Sequence, residues 1–314
     1  MTAICWALAG AFLIWAMVRI GGLERGFPMV QLVAYTPYVL VLSLVALLVV
    51  VLCRQWLSAG FLLIAVVALA LAVLPREIGG PEEVPGGKTV RVLSVNLYGG
   101  RADARQIASL ARARDVDLIA VQELTPEAVE RLDRAGFGVE YPHRVLQPAP
   151  QASGGGIYSR WSLEDLGSLV SEFHQPVAAV DVPASIPIRF VSVHPMAPSI
   201  PSRTGQWASE YGSMPEAFGA DLPLVLAGDF NATLDHEKLR ALLATGYRDA
   251  ADVVGNGLVS TWPARLEAKL PVTIDHVLAE RGISFGGYDV EGIDGTDHRA
   301  VFAELILPPV PGPG

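Results

Sequence analysis

The chain has 314 residues, a net charge of −9 and 51% hydrophobic residues, and its mean hydropathy is +0.40. This hydropathy is high for a wholly soluble protein. The acidic balance argues against a nucleic-acid-binding surface, because a polyanion would be repelled. The only two cysteines, Cys5 and Cys53, exclude a disulfide framework and a cysteine-rich metal site.

The excess of apolar residues is concentrated near the N-terminus. Residues 1–18, 30–53 and 56–74 contain no Asp, Glu, Lys or Arg. Each run is close to the ~20 residues that a helix needs to cross a bilayer. We therefore predict three transmembrane helices, which form an anchor over residues 1–75. A cleaved signal peptide is disfavoured, because the first run lacks a basic segment before it and a clear cleavage site.

Basic residues beside the runs bear on the orientation of the anchor. Five of them would lie on the same side of the membrane as the rest of the chain: Arg19, Arg25, Arg76, Lys88 and Arg91. Arg54 would lie on the opposite side. Basic residues favour the cytoplasmic side, so this count predicts a cytoplasmic domain.

The remainder of the chain is predicted to be a linker, a domain and a tail. Residues 76–88 are rich in Pro, Gly and charge, as in linkers, and residues 89–309 suit one α/β domain, followed by a tail at 310–314. Beyond Leu74 there are 20 Lys+Arg (23 minus 3) and 31 Asp+Glu (32 minus 1), a net charge of −11. The acidity therefore belongs to the domain side of the chain.

Hydrophobic periodicity predicts alternating strands and helices in this domain. Strands are predicted at residues 89–97, 115–124, 154–160, 177–183, 188–195, 223–230, 272–280 and 299–307. Helices are predicted at residues 102–114, 125–136, 205–220 and 235–246. So many strands separated by hairpins or single helices indicate two packed sheets covered by helices.

Polar side chains lie at four predicted strand ends and at two further places in or next to predicted strands. They are Asn96, Glu123, His194, Asp229, Asn231, Asp275, Asp297 and His298. Burying such groups costs free energy unless a partner or ligand compensates for it. Carboxylate and amide oxygens suit a hard cation such as Mg²⁺ or Mn²⁺, and histidines can transfer protons near neutral pH. The set therefore predicts metal-assisted attack on a phosphate. A zinc protease is disfavoured, because Arg240 stands where the second His of HExxH is needed.

Three Asp-His dipeptides occur, and they are not equivalent. Asp235 is predicted to begin a helix, where an aspartate can accept from free N–H groups. His276 alternates with Asp275 along a strand and should face away from the site, in a structural role. Only Asp297-His298 is expected to place both residues in the site.

Seven ordered segments carry a family resemblance: "SVNLYGG", "VQEL", "SGGGIYSR", "VSVHP", "LAGDFNAT", "TIDHVL" and "GTDHRAV". Together they resemble the endonuclease/exonuclease/phosphatase superfamily from about Thr89 to Leu307. The resemblance implies a four-layer α-β-β-α sandwich, DNase I-like, with the site at one edge of two sheets. It also implies that Glu123 is the main metal ligand, assisted by Asn96 and Asp297, for Mg²⁺ or Mn²⁺.

The resemblance further implies roles in the reaction. Asp229 would orient or deprotonate the attacking water, and Asn231 and His194 would hold phosphate oxygens. His298 would act as acid/base or transition-state donor, oriented by Asp275. Which of Asp229 and His298 takes the proton from water stays open.

The apolar runs, with "HPMAP", "QWASEY" and "TWP", resemble a membrane-anchored bacterial branch that includes actinomycete proteins linked to teicoplanin resistance. This branch implies an extracytoplasmic catalytic domain, contrary to the charge count. The leading functional hypothesis is a membrane-anchored phosphoesterase that hydrolyses a phosphate or pyrophosphate ester, including lipid-linked ones. The alternatives are a Mg²⁺-dependent nuclease and a non-catalytic membrane binding protein in antibiotic or envelope stress resistance. The expected partners are the lipid bilayer and a phosphate ester rather than nucleic acid.

Overall fold

A computed structural model describes residues 2–264 and 270–309; the predicted tail at 310–314 lies outside them. Its N-terminal part is helical: α1 (Thr2–Gly21), α2 (Met29–Val33), α3 (Thr36–Leu52), α4 (Trp56–Val73) and a 3-10 turn, Leu74–Glu77. Among the described residues, two helical stretches, Thr2–Gly21 and Trp56–Glu77, are long and apolar enough to cross a membrane. The third apolar helix, α3, is shorter, with 17 residues.

The second apolar run is not one helix. It breaks between Val33 and Thr36, with Pro37 in the first turn of α3. Proline lacks an N–H group, and its ring disfavours helical backbone just before it. The short helix α2 is thereby separated from α3, and its Val30 is buried against the domain.

The described residues after this helical part form two six-stranded sheets. The strands are β1 (Lys88–Asn96), β2 (Leu118–Gln122), β3 (His143–Gln147), β4 (Gly155–Ser159), β5 (Leu163–Ser168), β6 (Pro176–Val180), β7 (Ile188–Val193), β8 (Leu224–Asp229), β9 (Tyr247–Asp249), β10 (Asp275–Glu280), β11 (Ser284–Gly292) and β12 (Arg299–Leu307). The helices are α5 (Ala104–Ala113), α6 (Pro126–Arg134), α7 (Phe137–Glu140), α8 (Pro201–Tyr211), α9 (Glu237–Ala244) and α10 (Ala250–Val254). The strand orders are β11-β12-β1-β2-β4-β3 and β5-β6-β7-β8-β10-β9.

The sheets and helices pack in four layers. Val92, Phe190 and Val277 are fully buried between the sheets. Ile107 and Leu132 of α5 and α6 pack on the outer face of the first sheet, and α8 and α9 cover the second. The α-β-β-α sandwich is therefore confirmed, and it buries apolar area on both faces of each sheet.

The predicted strands are all present, and four further strands were missed. β5, Leu163–Ser168, is almost wholly exposed, so its sequence carries no burial pattern to detect. β3 and β11 also lack a clean alternation of buried and exposed residues, and β9 has only 3 residues. The predicted helix at 205–220 is α8, which begins earlier, at Pro201, and ends at Tyr211.

The segment predicted as a linker lies along the domain. Glu82 accepts from the Phe285 main-chain N–H at 3.0 Å and forms an ion pair with Arg248. The Gly80 N–H donates to the Val253 carbonyl at 3.1 Å. These contacts attach the segment to the sandwich, while the functional division at residues 75 and 88 stays a prediction.

One edge of the sandwich collects six strand ends. β1 and β2 are parallel, with Asn96 opposite Gln122, and β7 and β8 are parallel, with Val193 opposite Gly228. The antiparallel strands β10 and β12 begin at the same edge, and Asp275 pairs with Asp229. Residues that end β1, β2, β7 and β8 and residues that begin β10 and β12 must therefore meet there.

Candidate active site

Asn96 joins two carboxylates at the sheet edge. Its Nδ2 donates to Glu123 Oε1 at 3.2 Å and to Asp229 Oδ2 at 3.1 Å. Its Oδ1 accepts from the Tyr98 main-chain N–H at 2.9 Å, and the Gly99 N–H donates to Glu123 Oε2. The ends of β1, β2 and β8 are thus held together by one amide.

Three non-glycine residues at this edge have left-handed backbone. The φ angles are 50° at Tyr98, 57° at Glu123 and 48° at Asn231. Such backbone is strained for residues with a Cβ, and it persists where surrounding contacts fix it, often at functional sites. Here it turns the chain sharply after each strand, so that Glu123 and Asn231 face the cleft.

His298 lies between two carboxylates. Its Nδ1 is 2.9 Å from Asp275 Oδ2, and its Nε2 is 3.7 Å from Asp229 Oδ2. One potential ligand atom from each of these three residues lies within 4.8 Å of the others. Burial alone would lower the pKa of His298, but the charges of Asp275 and Asp229 outweigh it and raise that pKa. Burial raises the pKa of Asp229, opposed by His298 and aided by Asp275.

His194 is suited to donate a hydrogen bond. Its Nε2 lies 3.6 Å from Asp229 Oδ2 and 4.0 Å from Glu123 Oε1. Burial, with the positive charge of His298, lowers the pKa of His194 to about 3, so its ring is neutral at physiological pH. A neutral ring with its proton on Nε2 can donate to an oxygen bound between these carboxylates.

The last two predicted residues also reach the cleft. The Asn231 main-chain N–H donates to Asp229 Oδ1 at 2.8 Å, and its Nδ2 donates to the Pro195 carbonyl at 3.1 Å. Asp297 Oδ2 accepts from Trp262 Nε1 at 2.9 Å. Asp297 Oδ1 is buried and has no hydrogen-bond partner within the described ranges.

The residues present fit a divalent cation. Glu123, Asp297 and Asp229 supply carboxylate oxygens at one cleft, and one of these oxygens is buried without a partner. Hard oxygen donors of this kind suit Mg²⁺ or Mn²⁺ rather than thiolate-binding metals. Asn96 directs its N–H group at the carboxylates, so its role as a ligand stays a prediction.

The site opens into a cleft of about 460 Å³. Glu123, Asp229 and His298 lie on its lining together with apolar side chains of the domain. The N-terminal helical part also contributes, through Gln31 and Tyr35. These two residues were not predicted from the sequence, because they belong to an apolar segment far from any catalytic motif.

Several supporting residues were also missed. Thr261 Oγ1 accepts from the main-chain N–H of Asp275 at 3.1 Å, and Thr296 Oγ1 accepts from that of His298 at 3.1 Å. Gln175 Oε1 accepts from the His194 main-chain N–H at 2.9 Å. Threonine and glutamine are common in loops, so their sequence positions alone gave no signal.

The prediction that Asp235 begins a helix through its side chain is wrong. Asp235 is fully buried and accepts from Arg19 Nε at 2.7 Å and from Arg76 Nη1 at 2.9 Å. Helix α9 begins at Glu237, and its N-cap residue, His236, makes no side-chain cap. Asp235 pairs with the two arginines because guanidinium groups are stronger hydrogen-bond partners for a carboxylate than a main-chain N–H group is.

The structural interpretation of His276 agrees with its contacts. His276 is buried, with Nδ1 2.8 Å from Asp249 Oδ2 and Nε2 2.9 Å from the Ala232 carbonyl. Both ring nitrogens are occupied, away from the cleft.

A family model for the endonuclease/exonuclease/phosphatase family matches residues 93–298. No curated protein sequence matches the chain. Among solved structures, a Beutenbergia cavernae endonuclease/exonuclease/phosphatase has a TM-score of 0.55 and 17% identity over 72% of this chain and 73% of that one. An Archaeoglobus fulgidus AP endonuclease has a TM-score of 0.56 and 15% identity, over 68% and 98%. D. rerio TDP2, complexed with single-strand DNA product, has a TM-score of 0.54 and 17% identity, over 69% and 99%.

At these identities the solved structures establish the shared fold. The family model covers most of the sandwich, from β1 to the residue before β12. Its match begins in β1 and ends at His298, so it includes all eight predicted site residues. The chain belongs to the endonuclease/exonuclease/phosphatase family, whose members are metal-dependent hydrolases acting on phosphodiester bonds.

Proposed function

We propose that the protein is a membrane-anchored phosphoesterase that uses Mg²⁺ or Mn²⁺ to hydrolyse a phosphate or pyrophosphate ester of a lipid. The observation that carries the proposal is the shared cleft. Its lining includes Glu123, Asp229 and His298 of the domain together with Tyr35 from the N-terminal helical part. A phosphate and an adjoining apolar group could both be accommodated there.

The proposed reaction is attack of water on phosphorus. A cation held by Glu123, with Asn96 and Asp297, would supply positive charge against the phosphate oxygens. His194 and Asn231 would donate hydrogen bonds to those oxygens and fix their orientation. The water oxygen forms a bond to phosphorus, and the bond from phosphorus to the leaving oxygen breaks.

The proton lost by the attacking water goes to the Asp229–His298 pair. Asp229 Oδ2 and His298 Nε2 are 3.7 Å apart, so a water between them can contact both. Asp275 fixes the His298 ring through Nδ1 and stabilises its charged form. The leaving oxygen takes up a proton from solvent.

The membrane assignment is supported by exposure. Only 22% of the apolar window in Thr2–Gly21 and 39% of that in Trp56–Glu77 is buried. The helices of a soluble core would be mostly buried, and an exposed apolar surface of this extent is rare in soluble monomers. Arg19, at the end of α1, pairs with the buried Asp235, and this contact supports a retained α1 over a removable signal.

The count of basic residues is a weak guide to the side of the membrane on which the domain lies. Arg19 and Arg76 are buried partners of Asp235, and Arg25 donates to the carbonyls of Gly22 and Glu24. These positions are explained by structure, so they are weak topological signals. We therefore propose an extracytoplasmic domain.

Chelation should abolish hydrolysis. Purified full-length protein with EDTA should lose activity and regain it with excess Mg²⁺ or Mn²⁺. Glu123→Gln should raise the metal concentration needed for half-maximal activity by about 10- to 100-fold, since a charged ligand is lost. Unchanged metal dependence in this variant would remove Glu123 from the metal site.

Cysteine labelling should reveal the orientation. Ser109 is exposed on the domain, whereas Cys53 directly follows α3 at the opposite end of the anchor. In intact cells, a membrane-impermeant maleimide should label Ser109→Cys in a Cys53→Ser background. Labelling that requires cell lysis would place the domain in the cytoplasm instead.

The two alternative functions predict different results. A nuclease would nick plasmid DNA at physiological salt with Mg²⁺, which the net charge of −9 disfavours. A non-catalytic binding protein would show neither hydrolysis nor calorimetric binding of Mg²⁺ or Mn²⁺.

A further inference from the structure

Helix α2 and the turn after it form a wall of the catalytic cleft. Gln31, Ala34 and Tyr35 lie on the lining of the cavity that contains Glu123 and His298. None of the proposed steps of hydrolysis uses them.

This wall is fixed to loops of the domain. The Gln31 side chain donates to the Pro198 carbonyl, and His236 Nε2 lies 2.9 Å from the Val30 carbonyl. The Tyr38 hydroxyl donates to the Pro271 carbonyl at 2.7 Å. The wall is therefore held against the domain at three points, on both sides of Tyr35.

The cleft lining combines apolar and charged side chains. Besides Tyr35 and Ala34, it includes apolar groups of the domain such as Met196, Pro198 and Ile274. The same lining holds carboxylates and histidines of the site. A ligand that contacts both kinds of side chain needs an apolar group next to its phosphate.

Exposed apolar side chains flank the contacts between the N-terminal helices and the domain. Phe27 is 50% exposed and Leu32 is 41% exposed around α2. Ile200 and Leu270 are 46% and 52% exposed on the loops that contact α2 and α3. Their segments adjoin the helices that we assign to the bilayer, and exposed apolar groups of this kind favour contact with lipid chains.

We propose that Tyr35 and the α2 wall bind the apolar chain of a lipid phosphate ester taken directly from the bilayer. This inference rests on the proposed function and adds the residues that select the substrate. Tyr35 acts through binding of the chain and takes no part in proton transfer.

The test uses two substrates that differ only in the chain. Full-length protein in phosphatidylcholine vesicles is given 4-methylumbelliferyl phosphodiesters that carry either an oleyl or a methyl group. Wild-type protein should prefer the oleyl ester in kcat/KM, and Tyr35→Ala should reduce that preference by about tenfold, because buried chain contacts are lost. With Tyr35→Ala, kcat/KM for the methyl ester should fall by a clearly smaller factor than kcat/KM for the oleyl ester.

Two variants control for folding and general effects. Tyr35→Phe keeps the ring and should keep the preference, and Val139→Ala, at a position that is 86% exposed and outside the cleft lining, should behave as wild type. An equal loss on both esters with Tyr35→Ala, or no loss on either, would overturn the inference.

Binding separates this inference from the proposed function. Calorimetry with oleyl and methyl phosphonates measures chain recognition without turnover. Hydrolysis without chain preference would refute the α2 wall alone. Chain-dependent binding that is weakened by Tyr35→Ala, without any hydrolysis, would refute the phosphoesterase assignment and retain the lipid site.

Discussion

Replacing Asp229 by Asn or His298 by Ala should lower kcat/KM for phosphodiester hydrolysis by about a thousandfold, within the range for lost acid–base groups. Both residues lie at the point where Asn96, His194 and Asp275 converge. Each variant removes one member of the Asp229–His298 pair that takes up the proton of the attacking water. Hydrolysis of a soluble fluorogenic phosphodiester with saturating Mg²⁺ provides the measurement.

Stability and surface controls accompany this experiment. Asp229 accepts from Asn231 and Asn96, and an asparagine can keep only one of these hydrogen bonds, so Asp229→Asn should cost about 1–3 kcal/mol of unfolding free energy. The assay should therefore run well below the Tm of each variant. Asp221→Asn, at an exposed position, should behave as wild type. Wild-type rates in both site variants would refute the proposed mechanism.

Replacing Asp235 by Asn should be the most damaging change outside the active site. The side chains of Arg19, Arg76 and Asp235 are 9%, 7% and 0% exposed, so all three charges are removed from water. Removing the single anion leaves two buried cations uncompensated, which typically costs about 3–5 kcal/mol. Thermal unfolding in detergent should show a correspondingly lower Tm.

Acidification should lower the unfolding free energy of wild-type protein, because it protonates the same Asp235 carboxylate. Burial would raise the pKa of Asp235, but Arg76 and Arg19 outweigh it and hold that pKa below its ordinary value. A lowered native pKa means that this stabilisation is present above the unfolded-state pKa of about 3.9 and is lost as pH falls through the native value. Asp235→Asn should therefore lose less stability than wild type on acidification.

A matched control is a surface ion pair. Glu130 and Arg134 form an i,i+4 pair with 70% and 71% exposed side chains, and Glu130→Gln should leave the Tm nearly unchanged. If Asp235→Asn left the Tm equally unchanged, the three buried charges would not hold the helices and the domain together.

Asp235 also shows what a sequence can and cannot predict. The strand ends at Asn96, Glu123 and Asp229 were found because a polar group after an apolar strand is a local pattern. The partners of Asp235 are 216 and 159 residues away, so its neighbours in sequence suggested only a helix start. Long-range ion pairs leave no comparable local signal.

Tyr35 was missed for a similar reason. Its segment is uniformly apolar, which predicts a membrane span, and only the break before Pro37 allows α2 to lie against the cleft. In contrast, the four-layer fold could be predicted, because hydrophobic periodicity and ordered motifs extend over the whole domain. Exposed β5 was missed, because pattern-based prediction depends on burial.

The most direct test of the account is hydrolysis in ¹⁸O-labelled water, followed by ³¹P NMR. Purified full-length protein with Mg²⁺ and a lipid phosphodiester should release a phosphate product with ¹⁸O bonded to phosphorus, detected by its isotope shift. The same sample with EDTA, or with Asp229→Asn, should release almost none. Product without ¹⁸O on phosphorus, or equal product in EDTA, would contradict metal-dependent attack of water at this site.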